Sequence, residues 1–261
     1  MLIVVSPAKA LDFESPLPTR KFTEPEQLDR TRELVSVMRG KSPDDLSSMM
    51  GISADLGELN FERFQDWSPP FTPKNARPAV LAFNGDTYIG LDARNSFSER
   101  DYTHAQKVLR ILSGLHGVLR PLDLIQPYRL EMGSKVETDR GHNLYDFWGG
   151  DVTDRLNADL ADSPGANVLV NLASNEYFSV VQPERIDAKV ITPRFEDAKG
   201  DGDHKVVGFF AKRARGAMAG WIIRERVKSA KALTEFDDLG YRYAPELSSP
   251  TEPVFRRRTD A

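Results

Sequence analysis

Apolar and polar positions alternate with two different periods along the 261-residue chain, and the changes of period mark its elements. The unbroken apolar run "LIVVS" at 2–6 reads as a short buried strand. Over 25–39 the apolar side chains fall at helical spacing, with Leu28, Leu34, Val35 and Met38 on one side. Ser42, Pro43, Asp44 and Asp45 make a helix start: a cap, a first-turn proline, and two acids at the positive end of the helix dipole. Ser53 caps a further helix running to Trp67, and "SPPFTPKNARP" at 68–78 is a proline-rich connector. "AVLAF" at 79–83 predicts a buried strand. Ser98, followed by Glu99 and Asp101, opens a helix whose apolar side holds Ala105, Val108, Leu109 and Leu112. Helical spacing returns over 144–162 and 212–228. "NVLVNLA" at 167–173, "AKVITPRF" at 188–195 and "HKVVGFFA" at 204–211 predict further strands, and "VFRRRTDA" at 254–261 a last short strand with a loose tail. Strands and helices intermix throughout, so the expected class is α/β, mixed α+β, with a mixed sheet and flanking helices. No repeat, low-complexity tract or linker interrupts the chain, which predicts a single domain over 1–261.

Composition narrows the chemistry. The chain has no cysteine, which excludes disulfides, thiolate catalysis and zinc–thiolate sites and favours a reducing cytosol. The opening "MLIVVSPAKALDF" has no basic n-region, and its apolar run is too short for a signal peptide or a membrane span; a cytoplasmic protein is expected. Net charge is −4, but it is unevenly distributed: residues 101–135 carry +2, residues 204–228 carry +6, and the remainder −12. A basic island in an acidic chain is a directional field aimed at an anionic partner; a solvated helix face is the plainer reading of the same residues.

Four stretches carry candidate chemistry. The first is "LSGLHGVLRPLDLIQPYRLEMG" at 112–133. A helix closed by Gly114, a turn through Leu115, His116 and Gly117, and a second helix would make a helix-hairpin-helix, whose turn amides hold a DNA phosphate. Arg120 and Arg129 would add charge. The spacing here is G-x-x-G rather than G-h-G, and a plain helix connector fits equally well. The second stretch is "FFAKRARGAMAGWIIRER" at 209–226. Phe210, Ala214, Met218 and Trp221 share one helix face, with Lys212, Arg215 and Arg226 opposite. Gly216 and Gly220 leave the helix thin enough for a partner backbone or a ligand to approach. Lys212, Arg213 and Arg215 are expected at a strand-to-helix junction, where cations oppose the helix dipole and an anion would relieve them. The third is "LASNEYF" at 172–178, beyond a buried strand, where α/β proteins place their sites. There Ser174, Asn175 and Glu176 either start a short helix or line a cleft. The fourth is "VSPAKALDF" at 5–13, with Lys9 just past the first strand, as a phosphate contact, an amine nucleophile or half of a salt bridge.

In their order and separations, "SPAKALDF", "LSGLHGVLRPLDLIQPYRLEMG", "NLASNEYF" and "FFAKRARGAMA" resemble the YaaA peroxide-stress family along nearly the whole chain. The resemblance implies a bacterial cytosolic protein of the oxidative-stress response. It also implies one mixed α/β fold with a basic cleft and a helix-hairpin-helix-like element, binding of duplex or distorted DNA, and a link to limiting free iron under peroxide. On that basis Gly114, Leu115, His116, Gly117, Arg120, Arg129, Lys212, Arg213 and Arg215 are DNA-contact candidates, and Lys9, Glu131, Ser174, Asn175 and Glu176 form the cleft wall. It supplies no catalytic residue and no cofactor.

Two functional readings follow: a DNA-binding stress protein that contacts phosphates regardless of sequence, or an enzyme acting on a phosphate-bearing small molecule or a nucleic-acid lesion beside Lys9 and Arg215. A narrow pocket shared by Lys9, Glu131, Glu176 and Arg215 would favour the second, and a wide basic groove the first. Direct iron binding has little support, because the four histidines and the carboxylates show no ligand spacing.

Overall fold

Five strands build the central sheet of the computed structural model, which describes residues 1–259. Strands of three or more residues are β1 (Leu2–Val5), β2 (Leu109–Ser113), β3 (Gly117–Leu119), β4 (Val168–Leu172), β5 (Lys189–Ile191), β6 (Arg194–Lys199) and β7 (Val254–Thr259). Helices of six or more are α1 (Leu28–Arg39), α2 (Pro43–Met50), α3 (Ala54–Asp66), α4 (Asp86–Leu91), α5 (Glu99–Val108), α6 (Asp151–Asp162) and α7 (Gly208–Arg224). The central order is β3-β2-β1-β4-β5, parallel except for the β2–β3 hairpin. Every residue of β1 is fully buried, which is why it reads as a continuous apolar run rather than an alternation. A second, smaller sheet pairs β6 with β7 in parallel and the two-residue strand Arg242–Tyr243 with β7 in antiparallel. One continuous apolar core runs through the described residues, so the mixed α/β class holds in a single compact unit.

Capping explains why several helices begin where they do. Ser42 and Ser98 each accept a bond from the backbone N–H three residues on, and their own backbone N–H groups donate to the Asp45 and Asp101 carboxylates. Ser53 caps α3 through the Leu56 N–H.

Several expected elements differ. The run 79–83 is a turn of helix, Ala79–Ala82, followed by the short strand Phe83–Asn84, because an apolar run alone does not distinguish buried helix from buried strand. The helix from Ser98 ends at Val108, and Leu109–Ser113 pairs with β1 in the register Ile3↔Leu109 and Val5↔Ile111. Sheet pairing here overrides the helical spacing of Leu109 and Leu112. The stretch that follows is therefore a β-hairpin and not a helix-hairpin-helix: Ser113 pairs with Gly117, whose φ is +65°. A helix–turn–helix outline occurs elsewhere, in α2 and α3, where Gly51 ends the first helix at φ 60° and Ser53 caps the second. The helical stretch 144–162 breaks at Gly149 (φ +47°) into Leu144–Trp148 and α6. Residues 204–211 make only one bridge, Lys205 to Asp197, and α7 already starts at Gly208. Lys212 and Arg215 thus lie in the second turn of α7 and beyond, not at its first amides. The final strand is present as β7, and the last two residues of its predicted tail lie outside the described residues.

Candidate functional site

Lys9, Arg129, Glu131, Ser174, Asn175, Glu176, Lys212 and Arg215, drawn from all four stretches, line one cavity of about 600 Å³. The cavity lies past the carboxyl ends of β1 and β4. β1 has β2 on one side and β4 on the other, so chain connections leave the sheet in opposite directions there and open a crevice. The two strand ends are tied together: the Ser174 N–H donates to Ser6 Oγ at 2.9 Å, and the two hydroxyls lie 3.3 Å apart. Ser174 occupies the cap position of the short helix Asn175–Phe178 without capping it, because its side chain is engaged with Ser6. Tyr88 on α4 donates to the Ser6 carbonyl at 3.1 Å, fixing α4 against the same strand end.

The lining holds four cations and three carboxylates. Glu131 takes two of the cations: Lys9 Nζ lies 2.7 Å from Oε2, and Arg129 donates to Oε1 at 3.0 Å. Lys9 is therefore half of a salt bridge at the cavity wall. Glu176 accepts from the Gly133 N–H at 3.1 Å, and its carbonyl accepts from the Tyr145 hydroxyl at 2.9 Å. Lys212 and Arg215 make no ion pair among the described residues. Burial lowers the pKa of Arg215, the signature of a guanidinium that has lost water without gaining a carboxylate. Such a group stays charged. An anion entering the cavity would relieve the unfavourable burial.

α7 reaches the cavity because its glycines let it lie directly on α4. A Cβ on Gly216 would collide with the Thr87 carbonyl oxygen, and one on Gly90 with that of Arg213. The thin helix expected from Gly216 and Gly220 is used for backbone approach, and it brings Lys212 and Arg215 opposite Asp86 and Thr87.

Other candidates lie elsewhere. Gly114, Leu115, His116 and Gly117 are all buried. A Cβ on Gly114 would strike the Leu130 carbonyl, and one on Gly117 would lie 2.7 Å from the Trp148 ring. These residues pack the hairpin into the core, so the DNA-contact expectation for them is corrected. Arg120 is committed to Glu26 at 2.6 Å and Asp123 at 2.9 Å, and donates to the Glu24 carbonyl; it is a structural ion pair outside the cavity. Arg213 is exposed on α7 but does not line the cavity. Sequence reading missed the wall formed by Asn84, Gly85, Asp86 and Thr87. Its signal was an Asn-Gly pair followed by an acid at a helix start. Tyr128 and Tyr177 complete the lining with aromatic surface.

The family model described as peroxide stress protein YaaA matches residues 1–247. The chain belongs to the YaaA peroxide stress protein family. It is 53 % identical over 257 residues to a UPF0246 protein of Cellvibrio japonicus, covering 98 % of each chain. UPF0246 proteins of Idiomarina loihiensis and Aliivibrio fischeri are 55 % and 51 % identical over the same length and coverage. Membership in the YaaA family supports a role in the peroxide stress response. Among the described residues no helix is long and apolar enough to cross a membrane, and no group of His, Asp and Glu side chains is arranged to hold a metal ion.

Proposed function

We propose that this YaaA-family protein serves the peroxide response by holding one phosphate-bearing nucleotide unit of distorted DNA in the cavity between β1, β4 and α7. The observation that carries this reading is the unpaired Arg215, half-buried near the exposed Lys212 in a cavity large enough for one nucleotide and too small for a duplex. Arg215 and Lys212 take the phosphate, and the Tyr128 and Tyr177 rings offer apolar wall to a base extruded from the stack. Distorted or damaged sites give up a base at least cost, so they are bound in preference to intact duplex. Occupying such sites in the cytosol shields them from iron-generated radicals.

The test is a set of titrations with duplex, mismatch-bubble and single-stranded oligonucleotides of unrelated sequence, each competed with a deoxynucleoside monophosphate. Bubble and single strand should bind more tightly than duplex, without sequence preference. Binding should weaken by about 0.7 log units per phosphate contact for each tenfold rise in salt on single strands, and the mononucleotide should compete. Equal binding of intact duplex with no competition would contradict the reading.

A second reading, an enzyme acting on a phosphate-bearing small molecule or a lesion, is favoured by Glu131 and Glu176 standing in the same cavity as Lys9. Its check is mass spectrometry of nucleotides and lesion-bearing oligonucleotides incubated with the protein. A new product supports it, and unchanged substrates leave binding alone.

A further inference from the structure

α7 opens with apolar side chains that the fold leaves in solvent. Phe209 is 53 % exposed and Val206 52 %, with Phe210 exposed beside them. The rings are nevertheless held in place. Tyr241 is buried, and its hydroxyl donates to Asp197 at 2.7 Å. The same carboxylate pairs with Arg257 at 2.6 Å. The Arg257 guanidinium stands 4.6 Å from the Tyr241 ring centroid and 4.8 Å from that of Phe210. Phe209 meets Phe210 edge-on at 5.5 Å. Tyr241, Arg257, Phe210 and Phe209 thus form a ladder from core to solvent, and its outermost ring has nothing above it among the described residues.

Position decides what this ring faces. Phe209 precedes Lys212 by three residues, so the two side chains project about 60° apart and about 4.5 Å along the axis. Lys212 lines the cavity, and both Lys212 and Arg213 are exposed without an ion pair among the described residues. An exposed ring packed edge-on to the held Phe210 ring, flanked by free cations and one turn from a nucleotide-sized cavity, suits a π-faced, polyanionic chain. An apolar protein partner would leave those cations facing nothing.

We infer that Phe209 is the stacking platform for a nucleobase next to the nucleotide held in the cavity, so the ligand is a single-stranded stretch of nucleic acid. The inference rests on the nucleotide reading above, and the experiment separates the two. Affinities for a deoxynucleoside monophosphate and for a short single-stranded deoxyoligonucleotide are measured on the wild type, Phe209→Ala, Phe209→Trp and Lys212→Ala/Arg215→Ala. Melting temperature and sedimentation are recorded on each. Phe209→Ala should weaken the oligonucleotide about tenfold and leave the mononucleotide and the melting temperature unchanged, and Phe209→Trp should restore affinity. The double variant should weaken both ligands. Unaltered oligonucleotide binding by Phe209→Ala would overturn the inference. So would failure of Phe209→Trp to rescue, or a wild-type dimer that Phe209→Ala dissolves without touching oligonucleotide affinity. A wild type that binds the mononucleotide, but the oligonucleotide no more tightly, removes the platform and leaves the cavity reading standing. A wild type that binds neither removes both.

Discussion

His116 has no exposed surface; its Nδ1 lies 3.1 Å from the Thr31 hydroxyl, and the rings of Phe71 and Tyr128 stand edge-on to its own. The Thr31 hydroxyl also lies 3.2 Å from the Gln27 carbonyl, and Nε2 is buried without a partner among the described residues. Burial pushes the pKa down to about 3. The unfolded chain takes up a proton near its ordinary value of about 6.5, and the folded chain does not. Stability from this group is therefore complete above about pH 6.5 and falls towards pH 3, by about 1.4 kcal/mol per unit at most. Burial also lowers the pKa of His104, so its contribution has the same sign and begins to be lost as pH falls below about 6.5. Urea denaturation of His116→Gln between pH 6 and 4 should show a shallower acid slope than the wild type; equal slopes would mean that the imidazole titrates normally in the fold. Lys212 and Arg215 make the opposite case, since no carboxylate depends on them. Lys212→Ala/Arg215→Ala should change folding stability by no more than about 1 kcal/mol while lowering nucleotide affinity at least about tenfold. A loss of several kcal/mol in chemical denaturation would make these two residues structural.

At the scale of elements, the β2–β3 hairpin is held by a turn that only glycine fits. Gly117 has φ +65°, and a side chain there would enter the space of the Trp148 ring and the Gln27 amide. Gly117→Val should cost about 2–5 kcal/mol from backbone strain and overpacking together. Thermal melting checks it, and a melt within 2 °C or so of wild type would contradict the packing described. Helices announced by caps were legible in the sequence, because Ser42, Ser53 and Ser98 act through neighbours only three residues away. The buried strands β1 and β4 were legible as apolar runs. Leu109–Ser113 was not, because its strand character comes from pairing with β1, about a hundred residues earlier in the chain. For the site, Lys9, Glu131, Glu176 and Arg215 were legible as separate motifs, and their meeting follows from topology. The wall at Asn84–Thr87 and the burial of Gly114–Gly117 were not legible, because both depend on which surface the rest of the chain covers.

For the whole molecule, charge and composition suit the proposed task. A chain of net charge −4 concentrates +6 in residues 204–228, where Arg224 and Arg226 pair with Asp238 and Asp101 while Lys212, Arg213 and Arg215 make no ion pair among the described residues. With no cysteine, the protein has no thiol for peroxide to oxidise while it works. We propose one nucleotide unit as the occupant of the cavity between β1, β4 and α7. The most direct measurement is a crystal structure of the protein with a mismatch-bubble or single-stranded oligonucleotide. A phosphate is expected within hydrogen-bond distance of both Arg215 and Lys212, with a nucleotide filling the cavity and the next base against Phe209. An oligonucleotide bound on another face, with Arg215 and Lys212 touching no phosphate, would contradict it.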